Sequence, residues 1–377
     1  MNELPIPAGP EGLEAAWMTE VLRADGVLDA SARVRRLDAA TIGADRGIGG
    51  QVARVALEYD SAGPEAPRSL IAKFPSAVEV TRAGGRYLRL PEREVRLYRE
   101  LGPGLPLRTP RCYHAAVDEA GDAFVILMED LGEATFGDDL EGASDTQLEA
   151  AIEALASLHA AWWNDSALDA LGWMPAIDER AAQWQRMFTV AWRDTTSAAA
   201  DGSPSAQALL EVVPAEARSL VDRLVREGRG AVERLARSPR TLLHGDFRLD
   251  NLCFGLPDGS PIAVIDWSNA TRGPGPYDLA YLSSVGLSPE RRRERETETL
   301  TRYHALLLER GVEGYDLDAC RRDYVLSFLE PLMRMFFLLA RGHTEGGGDR
   351  AYRVLAQVVR NASIAALDLE AARYLED

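Results

Sequence analysis

Two short apolar runs, each breaking off into a polar cluster, constrain this chain more than any other feature. The first lies in TLLHGDFRLDNLCFG and sets Asp246 and Asn251 with four residues between them; the second, PIAVIDWSNATRG, carries the run Ile262 to Ile265 onto Asp266, fifteen residues after Asn251. A rigid strand end holds a carboxylate accurately. The Asp and Asn have the spacing of a catalytic loop for phosphoryl transfer, a reaction that needs a base near the acceptor hydroxyl and metal on the phosphates rather than covalent help. Asp246 is then the candidate base, and Asn251 and Asp266 are candidate ligands for Mg²⁺, which prefers hard oxygen donors. Singly, each residue also reads as a turn former or helix cap. The two clusters in this order carry the catalytic reading.

A cation that holds phosphate is expected upstream. Residues 11 to 24 read as an amphipathic helix with Leu13, Trp17, Val21 and Leu22 on one stripe. VRRLDAATIGADRGIGGQVARVALEYD follows as two strands around a glycine-bearing turn, and SLIAKFP as a third strand ending at Pro75. Lys73 sits at the end of that strand. PEREVRLYRELG, opened by Pro91 and closed by Gly102, reads as one helix carrying Glu94. A strand lysine and a glutamate on the next helix make the ion pair with which a kinase orients phosphates. In the first hairpin, Gly47 and Gly49 either cover phosphates with bare backbone or simply turn the chain. CYHAAVDEAGDAFVILMEDL is a further hairpin whose end, with Met128, Glu129 and Leu131, is the expected interlobe hinge, its backbone facing adenine.

From about residue 145 the pattern changes to long helices, DTQLEAAIEALASLHAAWW being the clearest. The expected fold class is α+β, with a small β-rich N-lobe over residues 1–129 and a larger α-rich C-lobe over 130–377. Charge excludes one broad function class: 42 Lys and Arg against 59 Asp and Glu leave a net −17, and a general nucleic-acid binder needs a basic face. Cys112, Cys253 and Cys320 have neither zinc-site nor disulfide spacing. With no basic start followed by an apolar core, and no run approaching 18 apolar residues, the expectation is a soluble cytoplasmic protein without membrane or protein partners.

With these residues assembled, the sequence resembles the aminoglycoside phosphotransferase and choline kinase superfamily, especially its ecdysteroid-kinase-like and bacterial phosphotransferase branches. HGDFRLDN and VIDW carry most of the resemblance, supported by IAKFP, EREVRLYREL, ILMEDL, ALASLHAAWW and GPGPYDLAYL, over roughly residues 40 to 340. It implies a protein-kinase-like bilobal fold, ATP and Mg²⁺. By motif it implies Asp246 as base, Asn251 and Asp266 as metal ligands, and Lys73 with Glu94 on the phosphates. Asp278 falls at a position that holds the catalytic loop through backbone hydrogen bonds. Arg248 stabilises the transferring phosphate or forms a loop salt bridge. His244 shapes the loop, and His159, on an apolar helix face, reads as a satisfied core residue.

The acceptor is a small molecule with a hydroxyl, and its body is open. SFLEPLMRMFFLLARGH and LHAAWWND either line a pocket for a lipid, steroid or macrocycle or form an ordinary helical core. Asp138, Asp139 and Glu141 would instead recruit an aminoglycoside or a choline-like amine. The alternative to an active kinase is a nucleotide-binding pseudo-kinase serving as an interaction module; a protein kinase is disfavoured, because HGD stands for HRD and neither DFG nor APE follows.

Overall fold

The computed structural model describes residues 4–43, 50–237, 239–342 and 348–375. After a 3₁₀ turn at Pro10–Gly12, helix α1 (Ala15–Ala24) leads into β1 (Arg33–Ile42), β2 (Gly50–Asp60) and β3 (Ser69–Pro75), then helices α2 (Glu79–Tyr87) and α3 (Leu90–Arg96), then β4 (Cys112–Val117) and β5 (Phe124–Glu129). The five strands form one antiparallel sheet in the order β1-β2-β3-β5-β4. Strand alternation decides what faces where. Leu70, Ala72 and Phe74 of β3 are buried on the side of α1, against Trp17, Met18 and Leu22. The intervening Lys73 therefore points to the opposite face, where α3 lies. Strand β5 is buried on both sides, with Val125 and Leu127 in the α1 core and Ile126 and Met128 in the larger core beyond.

Three local expectations change. The N-terminal helix begins at Ala15, so Leu13 precedes it but still packs in the same core. Helix α2, short and without a buried residue, was not expected. The single helix expected over PEREVRLYREL is α-helical only to Arg96 and widens into a π-turn at Leu97–Leu101, a form common as a one-turn bulge at functional sites. There Leu97 and Tyr98, adjacent in sequence, are both buried.

The second layer starts with β6 (Thr135–Phe136) and α4 (Asp145–Ala161), whose N-terminus is a capping box between Ser144 and Gln147. It continues through α5 (Ala167–Ala170), α6 (Ile177–Ala200), α7 (Pro204–Val212), α8 (Arg218–Leu235), β7 (Thr241–Leu243), β8 (Leu252–Phe254), β9 (Ala263–Val264) and β10 (Thr271–Gly273). It ends with α9 (Pro276–Gly286), α10 (Pro289–Glu309), α11 (Leu317–Ser327), α12 (Leu329–Ala340) and α13 (Gly348–Asp368). The short strands pair as β7 with β10 and β6-β8-β9, bringing the two polar clusters to adjacent strand ends. The run expected at 262–265 keeps ladder pairing only at Ala263 and Val264. Helix α12 packs between α6 and α13. The result is a two-lobed α+β architecture, and among the described residues no helix is long and apolar enough to cross a membrane.

Candidate active site

The loop carrying Asp246 and Asn251 is fixed from below by one buried carboxylate. Asp278, at the start of α9, accepts the His244 N–H at 2.7 Å on one oxygen and the Gly245 N–H at 2.9 Å on the other. His159 Nε2 lies 3.3 Å from the same carboxylate, and its Nδ1 lies 2.7 Å from the Tyr303 hydroxyl, so His159 is a satisfied core residue. The His244 Nε2–H donates to the Ile265 carbonyl at 2.9 Å, which leaves Nδ1 to accept the Asp246 N–H at 3.3 Å. His244 thus joins the loop to the strand that ends at Asp266. Gly245 has φ +79°, and a Cβ there would sit 2.1 Å from the Asn269 carbonyl oxygen. No side chain fits, which is why HGD stands where HRD would.

The expected residues form one unbroken chain of contacts. The Asn251 amide nitrogen donates to the Asp246 carbonyl at 2.9 Å and to its carboxylate at 3.3 Å. The Asn251 backbone carbonyl accepts the Ile265 N–H at 3.0 Å, one residue before Asp266. Asp266 adopts a left-handed conformation, φ 61° and ψ 70°, and accepts from the Ser268 hydroxyl at 2.7 Å. Its other contact is Lys73, 3.2 Å away across the cleft. Lys73 in turn gives Glu94 both of its short bonds, 2.9 and 2.7 Å. Lys73 is the only lysine among the chain's 42 Lys and Arg.

Charge in this chain is set by competition between burial and partners. Burial alone would push the Lys73 pKa down; Asp266 and Glu94 more than offset it, and the value is raised. Burial pushes Glu94 up to about 7, with Lys73 opposing. Asp266, which burial would raise, is held well below the usual carboxylate range by Lys73 and Ser268. Asp246 is likewise lowered against its burial by Arg248 and Arg334 and by a hydrogen bond from Tyr281.

Arg334 and Tyr281 were not anticipated. Arg334 Nη1 lies 3.6 Å from Asp246, its Nη2 donates to the Gly245 carbonyl at 3.3 Å, and its guanidinium stacks 5.0 Å above the Tyr281 ring. Arg180 of α6 grips the same Gly245 carbonyl at 3.2 Å and the Asn269 carbonyl at 2.9 Å, and Glu330 neutralises both arginines. The available sequence signal was a pair of charges, Glu330 and Arg334, four apart within the apolar LEPLMRMFFLL. Arg248 lies 3.4 Å from Asp246 and 3.3 Å from Asp250, with Asp139 also bonded to it.

At the expected hinge, Met128 is buried in β5, and the Glu129 N–H donates to the Arg111 carbonyl at 2.8 Å while its carboxylate accepts from Arg108 at 2.6 Å. Leu131 is half-buried beyond the strand. Gly47 and Gly49 lie outside the described residues. For a divalent cation, the Asn251 amide nitrogen is committed to Asp246, leaving its oxygen with the Asp266 carboxylate as the donor set. Two hard oxygens fit Mg²⁺, which takes one or two protein ligands and completes its shell with phosphate and water. Among the described residues no group of three or more His, Cys, Asp or Glu would hold a metal by itself.

Residues 60–316 match the model of the phosphotransferase enzyme family. Acyl-CoA dehydrogenase family member 11 of Gallus gallus is 28% identical over 191 residues, covering 49% of this chain and 22% of that protein. The chain spans less than half the length of the curated relatives it matches. Among solved structures, Plasmodium vivax ethanolamine kinase superposes with a TM-score of 0.53 at 12% identity, covering 94% of this chain and 86% of that one. Spectinomycin phosphotransferase, solved with ADP and spectinomycin, gives 0.52 at 13% identity, covering 95% and 99%. At such identities the structures establish the fold, which is the protein-kinase-like bilobal one. The chain belongs to the phosphotransferase enzyme family.

Proposed function

We propose that the protein is a small-molecule kinase that transfers the γ-phosphate of ATP to an acceptor hydroxyl. The observation that carries this reading is the contact chain from Asp246 through Asn251 and Asp266 to Lys73 and Glu94. The five residues this reading needs stand along it in order, with Asn251 joined to the Asp266 segment through the Ile265 N–H. Lys73, oriented by Glu94, binds phosphate oxygens. Asn251 and Asp266 are the residues that would hold Mg²⁺, which when bound neutralises charge on the phosphates. The nucleotide base lies against Met128 and Leu131, since the N–H and carboxylate of Glu129 already have partners in Arg111 and Arg108.

Asp246 accepts the acceptor's hydroxyl hydrogen bond and takes its proton. The lowered pKa keeps it ionised, and a weak base suffices because the loose transition state places little demand on early proton removal. Arg248, surrounded by Asp139, Asp246 and Asp250, holds the loop and the base rather than the transferring phosphate. In this reading an N-lobe over 1–129 carries Lys73 and Glu94 on one side of the cleft, and a C-lobe over 130–377 carries the other three residues opposite.

The test is ATP turnover without acceptor, alongside a mass-spectrometric screen of hydroxylated compounds for gain of one phosphoryl group. Asp246→Ala is expected to lose about 10²- to 10⁴-fold in transfer rate, the range of a positioned acid-base group, with nucleotide affinity retained. Equal ATP hydrolysis by the native protein and the variant would remove Asp246 from the base role.

A further inference from the structure

Taking from the kinase reading which end of the cleft receives the acceptor, we propose that the acceptor is an uncharged alcohol with an apolar body. A cavity of about 320 Å³ opens from Asp246 and Asp266 and runs between α2, α6, α12 and α13. None of Met128, Glu129 or Leu131 lines it, so it extends away from the expected nucleotide-base end. Its size falls near the lower end of ligand sites, roughly 300–1,000 Å³.

The walls are apolar at helical spacing. Helix α6 offers Trp184 and Met187, three residues apart, and α13 offers Val354 and Val358, four apart. Leu338 of α12 is one turn beyond Arg334 and thus continues the wall outward from the base. The unexpected helix α2 closes the other side with Val80 and Tyr87, which are 47% and 70% exposed. They are two of the eight exposed large hydrophobics among the described residues, and both face this cavity. Exposed apolar side chains gathered round a concavity mark a ligand site.

The charges argue against a cationic acceptor. Four carboxylates line the cavity, and every one already faces a cation: Glu94 and Asp266 face Lys73 at 2.7 and 3.2 Å, Asp122 faces Arg86 at 2.6 Å, and Asp246 faces Arg248 at 3.4 Å. The Tyr281 and Phe337 rings have guanidinium groups 5.0 and 5.8 Å from their centroids, so these two faces are not open to a quaternary ammonium. Asp138 and Asp139, the residues expected to recruit a polycation, lie outside the cavity and are bound to Arg350 and Arg248. Glu141 lines no part of it either.

The experiment is calorimetric binding of 2-octanol, kanamycin and choline to the full chain saturated with a non-hydrolysable ATP analogue. The expected result is that 2-octanol binds most tightly, and that Val80→Asp and Leu338→Asp each weaken it about tenfold or more by setting a charge against the alkyl chain, with analogue affinity unchanged. Val80 is exposed, so its variant keeps the test informative if Leu338→Asp does not fold. Tighter binding of kanamycin or choline, no binding of any of the three, or 2-octanol binding indifferent to both substitutions would overturn the proposal. Phosphoryl transfer is measured separately: an alcohol that binds without being phosphorylated refutes the kinase reading and leaves the pocket assignment standing.

Discussion

Replacing Gly245 by alanine adds one methyl group at the tightest point of the loop that carries Asp246. The backbone there has φ +79°, and an L-residue in the left-handed region is strained by roughly 1–2 kcal/mol. The new Cβ would also sit 2.1 Å from the Asn269 carbonyl oxygen and 2.8 Å from Arg180 Nη1, against a practical lower limit of 3.0 Å. Backbone must shift by nearly an ångström, and overpacking of this kind costs about 1–3 kcal/mol. The total is about 2–5 kcal/mol. Gly255 supplies the control: its φ is +67°, yet nothing lies within 4 Å of a Cβ built on it, so Gly255→Ala carries only the backbone strain. Urea unfolding of both variants, followed by circular dichroism, reads the difference. The turnover of Gly245→Ala should also fall, because Asn269 belongs to the turn that begins at Asp266 and its displacement separates Asp266 from Asp246. Equal destabilisation of the two variants, or full activity in Gly245→Ala, would refute the steric argument.

Two further outcomes are expected. Glu94 titrates near 7, and its protonation removes the charge that orients Lys73; turnover therefore falls as pH drops through about 7, and Glu94→Gln should be slower with that acid limb gone. An unchanged limb in a pH–rate profile of Glu94→Gln would assign it to another group. Asp278→Asn replaces one of two oxygens that each accept a buried N–H, and with hydrogen bonds to charged groups contributing about 1.5–3 kcal/mol each it should lower the unfolding free energy by about 2–4 kcal/mol in urea; a loss under 1 kcal/mol would mean that the loop is held elsewhere.

The legible part of this site was the part written locally. Asp246 and Asn251 share one loop, and Asp266 ends the next short strand, so spacing alone brought them together. Lys73 and Glu94 were legible because a strand followed by a helix fixes which faces meet. Arg180 and Arg334 were not, although both hold Gly245, because they reach it across 65 and 89 residues of sequence and their contacts exist only once α6 and α12 pack together. Helix α2 was missed for a different reason: it buries nothing, so it has no apolar stripe to read. The SFLEPLMRMFFLLARGH segment is both of the things it was weighed as, core for most of its length and cavity wall at Leu338.

Arginine serves at every basic position of this chain but one, and the exception is the compact ammonium set between Glu94 and Asp266, where a planar guanidinium is not equivalent. An amine-directed reagent consequently meets a single lysine side chain in the whole molecule. Its two carboxylate partners hold it as an ammonium, so it should label slowly, and the mass of the one Lys73 peptide reports whether those contacts are in place.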